Sequence, residues 1–319
     1  MIGPMRAAVV RELGRPPELG DVPEPEPSDG KAVVEISAAG LNPIDIAVGA
    51  GRYFAGHPEL PYVPGAEAVA RLDDGRLVYL HGDGLGVRRD GTFAVRASYP
   101  AGDAIPVPDG IEAALAAGLG VAGLAGWLPL AWRAPVRKGE TVLVLGATGT
   151  VGLVAVQAAR LLGAGRVVAA GRNEEALRRA GERGADATVQ LDGGDLVEAI
   201  REACGEDGPS LVFDPLWGDP GAAAVRVAAH GARLVNLGQS AGPEATLASG
   251  DVRGKMLDIL GYTNFAVPRE VLAKEYGRLC EHAARGEIRL DVETVPLERI
   301  ADAWERQARS PNVKLVVTP

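Results

Sequence analysis

Thr141-Val142-Leu143-Val144-Leu145 is a short apolar run that leads directly into Gly146-Ala147-Thr148-Gly149-Thr150-Val151-Gly152. Residues Val151 to Leu162 then carry apolar side chains at helical spacing. No other feature constrains the fold as much as this strand, glycine-rich turn and helix in succession. The glycines let the backbone approach a ligand, and the helix N-terminus offers N–H groups and partial positive charge. Together they form a cradle for a diphosphate. The spacing Gly146-x-x-Gly149-x-x-Gly152 is one residue looser than the usual G-x-G-x-x-G, so the flanking strand and helix carry the weight of the reading. A glycine turn without a ligand is the plain alternative. All seven residues from Gly146 to Gly152 are candidate cofactor contacts.

The rest of that region repeats the logic. Strands are expected at 141–145, 166–170, 187–191, 211–214 and 233–237, with helices at 151–162, 174–183, 196–204 and 221–230. Alternation of this kind implies parallel strands joined by right-handed crossovers. The first third reads differently, as short strands at 6–10, 32–37, 68–72, 76–80 and 92–96. Between the first two lies Val22-Pro23-Glu24-Pro25-Glu26-Pro27, which cannot be helix interior. This spacing suggests a small β-rich domain, a partly closed barrel. Residues 111–130 read as a glycine-containing helix. The tail gives a strand at 257–263, a helix at 268–285, a strand at 291–295, a helix at 297–309 and a final strand at 314–317. It breaks the strict alternation, which suggests that it returns to the first domain.

Composition sets limits. With 319 residues and 47% apolar content, the chain exceeds one typical domain, so two are expected. The net charge of −9 and the lack of a basic stripe argue against nucleic acid as a partner. Cys204 and Cys280 are the only cysteines, so neither a disulfide framework nor a cysteine metal site is expected. The opening MIGPMRAAVV has no leader pattern. No stretch reads as the roughly 18 apolar residues of a membrane span. The expectation is a soluble, cytoplasmic protein with no membrane partner.

The strand after the glycine turn ends Ala169-Ala170-Gly171-Arg172. Sites for NAD place an acidic residue about 20 residues past the glycines to accept from the ribose hydroxyls. Arginine there can instead bind a 2′-phosphate through charge-assisted hydrogen bonds. Gly171 and Arg172, with Arg178 further along, therefore point to NADPH, although Arg172 also fits an ordinary surface arginine. Leu237, Gly238 and Gln239 end the strand beside the expected crevice and could meet the nicotinamide amide, or form a simple turn.

Two further segments carry a family resemblance: Ala38-Ala39-Gly40-Leu41-Asn42-Pro43-Ile44-Asp45, and Gly51-Arg52-Tyr53 leading to Leu60-Pro61-Tyr62-Val63-Pro64-Gly65-Ala66-Glu67. With Gly146 to Gly152, and the closing Asn312-Val313-Lys314-Leu315-Val316, the chain resembles the zinc-independent branch of the medium-chain dehydrogenase/reductase superfamily, and within it the NADPH:quinone oxidoreductases. The resemblance implies a Rossmann doubly wound parallel sheet, residues 123–257, inserted in a GroES-like β-rich catalytic domain, residues 1–122 and 258–319. It also implies a homodimer. Zinc-dependent relatives carry a cysteine near Asn42 and a histidine beside the glutamate. Here Asn42 and Ala66-Glu67 stand there, so no metal is expected. The helix start Asn173-Glu174-Glu175 lacks the lysine that often helps bind the 2′-phosphate.

Hydride transfer without a metal needs another source of protons. Tyr53 can donate one, Asn42 can hydrogen-bond a carbonyl or the nicotinamide ribose, and Asp45 can orient them. Turn formation around Pro43 is the alternative for Asn42 and Asp45, and packing is the alternative for Tyr53. The expected activity is reduction of a quinone or an α,β-unsaturated carbonyl. An enoyl-thioester reductase and a non-catalytic NADPH-binding structural or redox-sensing protein remain open.

Overall fold

The computed structural model describes residues 3–28 and 30–319. They divide into two compact units. The first ends at Ala122 and takes in Arg269–Ala284 and Leu290–Pro319 as well; the second is Gly123–Pro268 with Arg285–Arg289.

In the first unit β1 (Pro4–Val9) and β2 (Glu18–Pro23) pair antiparallel. The proline-rich segment after them thus begins as the end of a strand. Then come β3 (Lys31–Gly40), α1 (Pro43–Gly49), β4 (Glu67–Arg71), β5 (Leu77–His81), β6 (Arg96–Pro100), β7 (Ile105–Pro106) and α2 (Ala113–Gly118). The expected strand at 92–96 falls later, at β6, because Phe93 and Ala94 are spent on β1: Ala8 N–H donates to Phe93 O, and Ala7 bridges Ala94.

The second unit runs through α3 (Leu124–Leu128), β8 (Thr141–Val144), α4 (Thr150–Leu161), β9 (Arg166–Gly171), α5 (Glu174–Glu182), β10 (Ala187–Gln190), α6 (Leu196–Cys204), β11 (Leu211–Asp214), α7 (Gly218–Val227), β12 (Arg233–Asn236), α8 (Ser249–Gly254) and β13 (Asp258–Gly261). Its sheet has the order β10-β9-β8-β11-β12-β13, every pair parallel. Counted within the unit this is 3-2-1-4-5-6, the doubly wound Rossmann order, with its switch point between β8 and β11. Val142, Leu143 and Val144 are wholly buried, as are Leu211 and Phe213. That is what a parallel sheet covered on both faces requires. Because β13 pairs with β12, the Rossmann unit runs to Pro268. The boundary at 257 read from the sequence falls short by this strand.

The chain then gives α9 (Arg269–Ala284), β14 (Val292–Pro296), α10 (Ile300–Ala308) and β15 (Lys314–Thr318). Strand β15 pairs parallel with β14 and antiparallel with β3, which completes the first unit's order β14-β15-β3-β4-β5-β7, with β6 also on β3. The fold is therefore α/β, with a parallel Rossmann sheet and a second, mainly antiparallel sheet.

The helical stretch 113–133 departs from expectation. By length and composition alone it is apolar enough to cross a membrane, with a mean hydropathy of 1.7. Most of it is nevertheless buried inside the protein, and Gly120 leaves helical geometry at φ −61°, ψ −115°. Its apolarity serves the interior.

Candidate functional site

In the second unit, four strand ends meet around the glycine turn. Gly146 has φ 63°, and a Cβ there would come within 3.1 Å of Pro215, just past β11. A Cβ on Gly152 would lie 2.2 Å from Gly146 O, so glycine is needed to close the turn onto α4. Gly149 differs: only Gly146 O, at 3.8 Å, would come near a Cβ. The protein's own packing does not require that glycine, and its lack of a side chain leaves the backbone open to close approach. Gly149 is also the N-cap of α4 and supplies no side-chain cap. Thr150, Val151 and Gly152 follow in the first turn, where N–H groups lack intrahelical acceptors. Ala147 is held by its N–H to Ala170 O on β9 at 2.9 Å. Thr148 packs so closely on Gly171 that a Cβ there would lie 2.3 Å from its methyl group.

This contact brings Gly171 and the exposed Arg172 beside the turn. Arg178 is engaged elsewhere, ion-paired with Glu182 on the exposed face of α5. Leu237 and Gly238 follow β12 and abut the same loop: a Cβ on Gly238 would meet Pro215 O at 2.5 Å. Leu237 N–H is committed to Asp214 O, and Asn236 donates to Gly238 O. Gln239 is exposed, and its carbonyl accepts from Gly242 N–H. Asp214, which the sequence did not single out, organises the loop. Its buried carboxylate accepts from Leu216 N–H at 2.9 Å and Trp217 N–H at 2.8 Å, and burial raises its pKa. Trp217 is held at φ 56°, ψ −149°, a region that non-glycine residues avoid.

The other candidates lie in the first unit. Asn42 caps α1 and Asp45 sits one turn in. The Asp45 carboxylate accepts from Asn42 N–H at 2.8 Å and from Ala66 N–H at 3.0 Å. The turn around Pro43 is thus the start of a helix, and Asp45 orients Asn42 through the backbone. Asn42 is 1% exposed and its amide is nearly used up. Nδ2 donates to Gly40 O at 3.0 Å and to Glu67 Oε1 at 2.7 Å, while Oδ1 accepts from Lys314 Nζ at 2.6 Å. What remains is one acceptor lone pair and no donor. Of the two roles the sequence left open to Asn42, donation to a carbonyl has no proton to use.

Glu67 is the centre of this cluster and is wholly buried. Besides Asn42 it accepts from Tyr79 OH at 2.8 Å and from Val121 N–H, and Lys314 Nζ lies 3.5 Å away. Lys314 also donates to Leu41 O at 3.0 Å. Burial lowers its pKa, against the opposing pull of Glu67 and Asp45. Sequence reasoning missed Lys314. The available signal was a lysine inside the closing apolar run of a chain that has few lysines. Tyr53 lies in the loop after α1, half-buried against the Val10, Val48 and Tyr62 cluster and 4.6 Å from the Phe54 ring. Partial burial raises its pKa, which keeps it protonated near neutrality.

Comparison with known proteins fits this geometry. Residues 150–276 match the family described as zinc-binding dehydrogenase. Human quinone oxidoreductase is 26% identical over 310 residues, covering 94% of this chain and 93% of that protein. The quinone oxidoreductase of Thermus thermophilus, solved alone and with NADPH, is 30% identical, covers 99% of this chain and 100% of that one, and superposes with a TM-score of 0.83. The chain belongs to the quinone oxidoreductase-like medium-chain dehydrogenase/reductases. It is an oxidoreductase that depends on a nicotinamide dinucleotide. A crystal structure of an NAD-dependent alcohol dehydrogenase, 28% identical over 99% of this chain with a TM-score of 0.88, shares the fold of this oxidoreductase.

Burial gives the oxidoreductase a pH signature. It outweighs the hydrogen bonds and the Lys314 charge and lifts the Asp45 carboxyl from 3.8 to about 7. Between these values the folded protein holds a proton that the unfolded chain has released. The stabilisation from this group is thus complete below the lower value and lost as pH rises through the upper one. Melting temperature should therefore fall more steeply from pH 4 to pH 8 in the wild type than in Asp45→Asn. Parallel curves would show that Asp45 is ionised throughout.

Proposed function

We propose that this protein reduces quinones or α,β-unsaturated carbonyls with hydride from NADPH, without a metal. The observation that carries the reading is the glycine turn at Gly146–Gly152, open at Gly149, with Arg172 and no acidic residue at the neighbouring strand end. The quinone oxidoreductase relatives, one of them solved with NADPH, support it. The metal-free reading is supported by Asn42 and Ala66, which stand where zinc-dependent relatives keep cysteine and histidine. Among the described residues, no group of three His, Cys, Asp or Glu side chains could hold an ion. A homodimer fits as well, because β13 leaves an open sheet edge with Ile259 exposed.

In this reading the first turn of α4 holds the diphosphate. Backbone groups at Leu237, Gly238 and Gln239 meet the nicotinamide amide. Hydride added to an enone leaves a carbanion-like centre that needs a proton, and Tyr53 is the donor. The direct test is NADPH oxidation across quinones, enones and enoyl-CoA esters, with and without a chelator. Turnover of quinones or enones that survives chelation is expected. Activity lost with the metal, or confined to enoyl-CoA esters, would displace the proposal.

Arg172→Ala should weaken NADPH about 10- to 100-fold, the worth of a charge-assisted hydrogen bond, and leave NADH nearly unchanged. Equal losses for both cofactors in a titration would show that Arg172 supports the loop rather than reads a phosphate.

Tyr53→Phe separates the substrate classes. A positioned general acid contributes about 10²–10⁴-fold to a proton-transfer step. Enone turnover should fall within that range. Quinone turnover should change little, since the reduced oxygens take protons from water, and NADPH affinity should hold. Uniformly small effects in steady-state assays would make Tyr53 a packing residue.

A further inference from the structure

We infer that Glu67 and Lys314 form a positioning pair that locks the Asn42 amide with its oxygen as the only atom left to a bound molecule. The inference rests on one of the two roles the family resemblance leaves open to Asn42, a contact with the nicotinamide ribose. It deepens that reading by fixing the chemistry of the contact.

The two partners act on opposite ends of the amide. Lys314 Nζ has protons and no acceptor, and lies 2.6 Å from Oδ1. The Glu67 carboxylate only accepts when ionised, and lies 2.7 Å from Nδ2. Turning the amide over would set NH₂ against an ammonium and a carbonyl oxygen against a carboxylate. Both contacts would be repulsive in a buried site, where charge is screened least. The remaining Nδ2 proton is held by Gly40 O. The surroundings leave no slack for rearrangement. A Cβ on Gly40 would come 2.3 Å from one Glu67 oxygen, and one on Gly120 would come 1.9 Å from the other. Glu67 is thus seated between two glycines, and the strand pairing of β15 with β3 delivers the lysine.

The consequence is chemical selectivity. Asn42 presents one lone pair and accepts from a hydroxyl. A ribose hydroxyl of the nicotinamide nucleotide can supply that proton, whereas the carbonyl of the electron acceptor cannot.

The double variant Glu67→Gln/Lys314→Met tests this, because it removes both charges together and leaves no uncompensated buried ion. Its melting temperature should stay near the wild type, while its affinity for NADPH should drop about 3- to 10-fold, the worth of one neutral hydrogen bond. Unchanged NADPH affinity in the folded double variant would overturn the inference. Asn42→Ala judges the underlying reading separately: if it binds NADPH as the wild type does, Asn42 does not meet the cofactor at all. Should the double variant not fold, the wild-type protein still decides. The Asn42 side-chain amide protons, assigned by NMR from their loss in Asn42→Ala, should resist hydrogen exchange with and without NADPH. Rapid exchange, or protection that arises only with NADPH, would show that the amide is not locked.

Discussion

A buried carboxylate and a buried ammonium, 247 residues apart in sequence, hold the first unit's polar centre together. Taking either charge out of water is costly unless it is paired and its remaining hydrogen-bonding capacity is filled. Glu67 meets that condition with Asn42, Tyr79, Val121 N–H and Lys314. Lys314 meets it with Leu41 O, Asn42 and Glu67. Each group depends on a different element: β4 carries Glu67, β15 carries Lys314, β5 carries Tyr79, and Asn42 begins α1. The pair therefore ties the C-terminal strand, the start of α1 and the chain just past α2 to one point. The Val121 N–H accepted by Glu67 is the one beside Gly120, where helical geometry is broken.

The second unit is organised on another principle. Its polar groups gather at the ends of strands rather than inside the core. Apolar strands covered on both faces leave no room for charge in the sheet, so the backbone ends and loop residues carry the chemistry. Gly146, Gly171 and Gly238 are the close approaches that let the loops after β8, β9, β11 and β12 crowd together. The Asp214 carboxylate fixes the loop after β11 through backbone N–H groups, which holds Trp217 in a conformation that it would otherwise leave. These contacts place a helix N-terminus and an exposed arginine at one edge of the sheet.

Several expectations and the structure differ in instructive ways. Asn42 and Asp45 also read as turn residues, because the preferences of Asn, Asp and Pro are shared by turns and helix starts. What resolves them is Asp45 reaching both Asn42 N–H and Ala66 N–H, the latter 21 residues away. Arg178 read as a helper for a phosphate, yet Glu182 lies one turn on and takes its charge. The strand expected at 92–96 had the right composition, but part of it pairs with β1 and the regular strand starts later.

Local pattern in the chain was enough to read the strand–glycine turn–helix, the alternation that makes a parallel sheet, and the break in that alternation that returns the tail to the first unit. Those properties are written in spacing: period, glycine placement and turn residues act over a few positions. Other properties emerged only once the chain was folded. These are the closing of the Rossmann sheet by β13, the freedom of Gly149 from any demand of its own packing, and the spent donors of Asn42. The neutralisation of a glutamate in β4 by a lysine in the last strand belongs with them. Burial and charge pairing depend on which distant segments share a volume, and no local pattern encodes that.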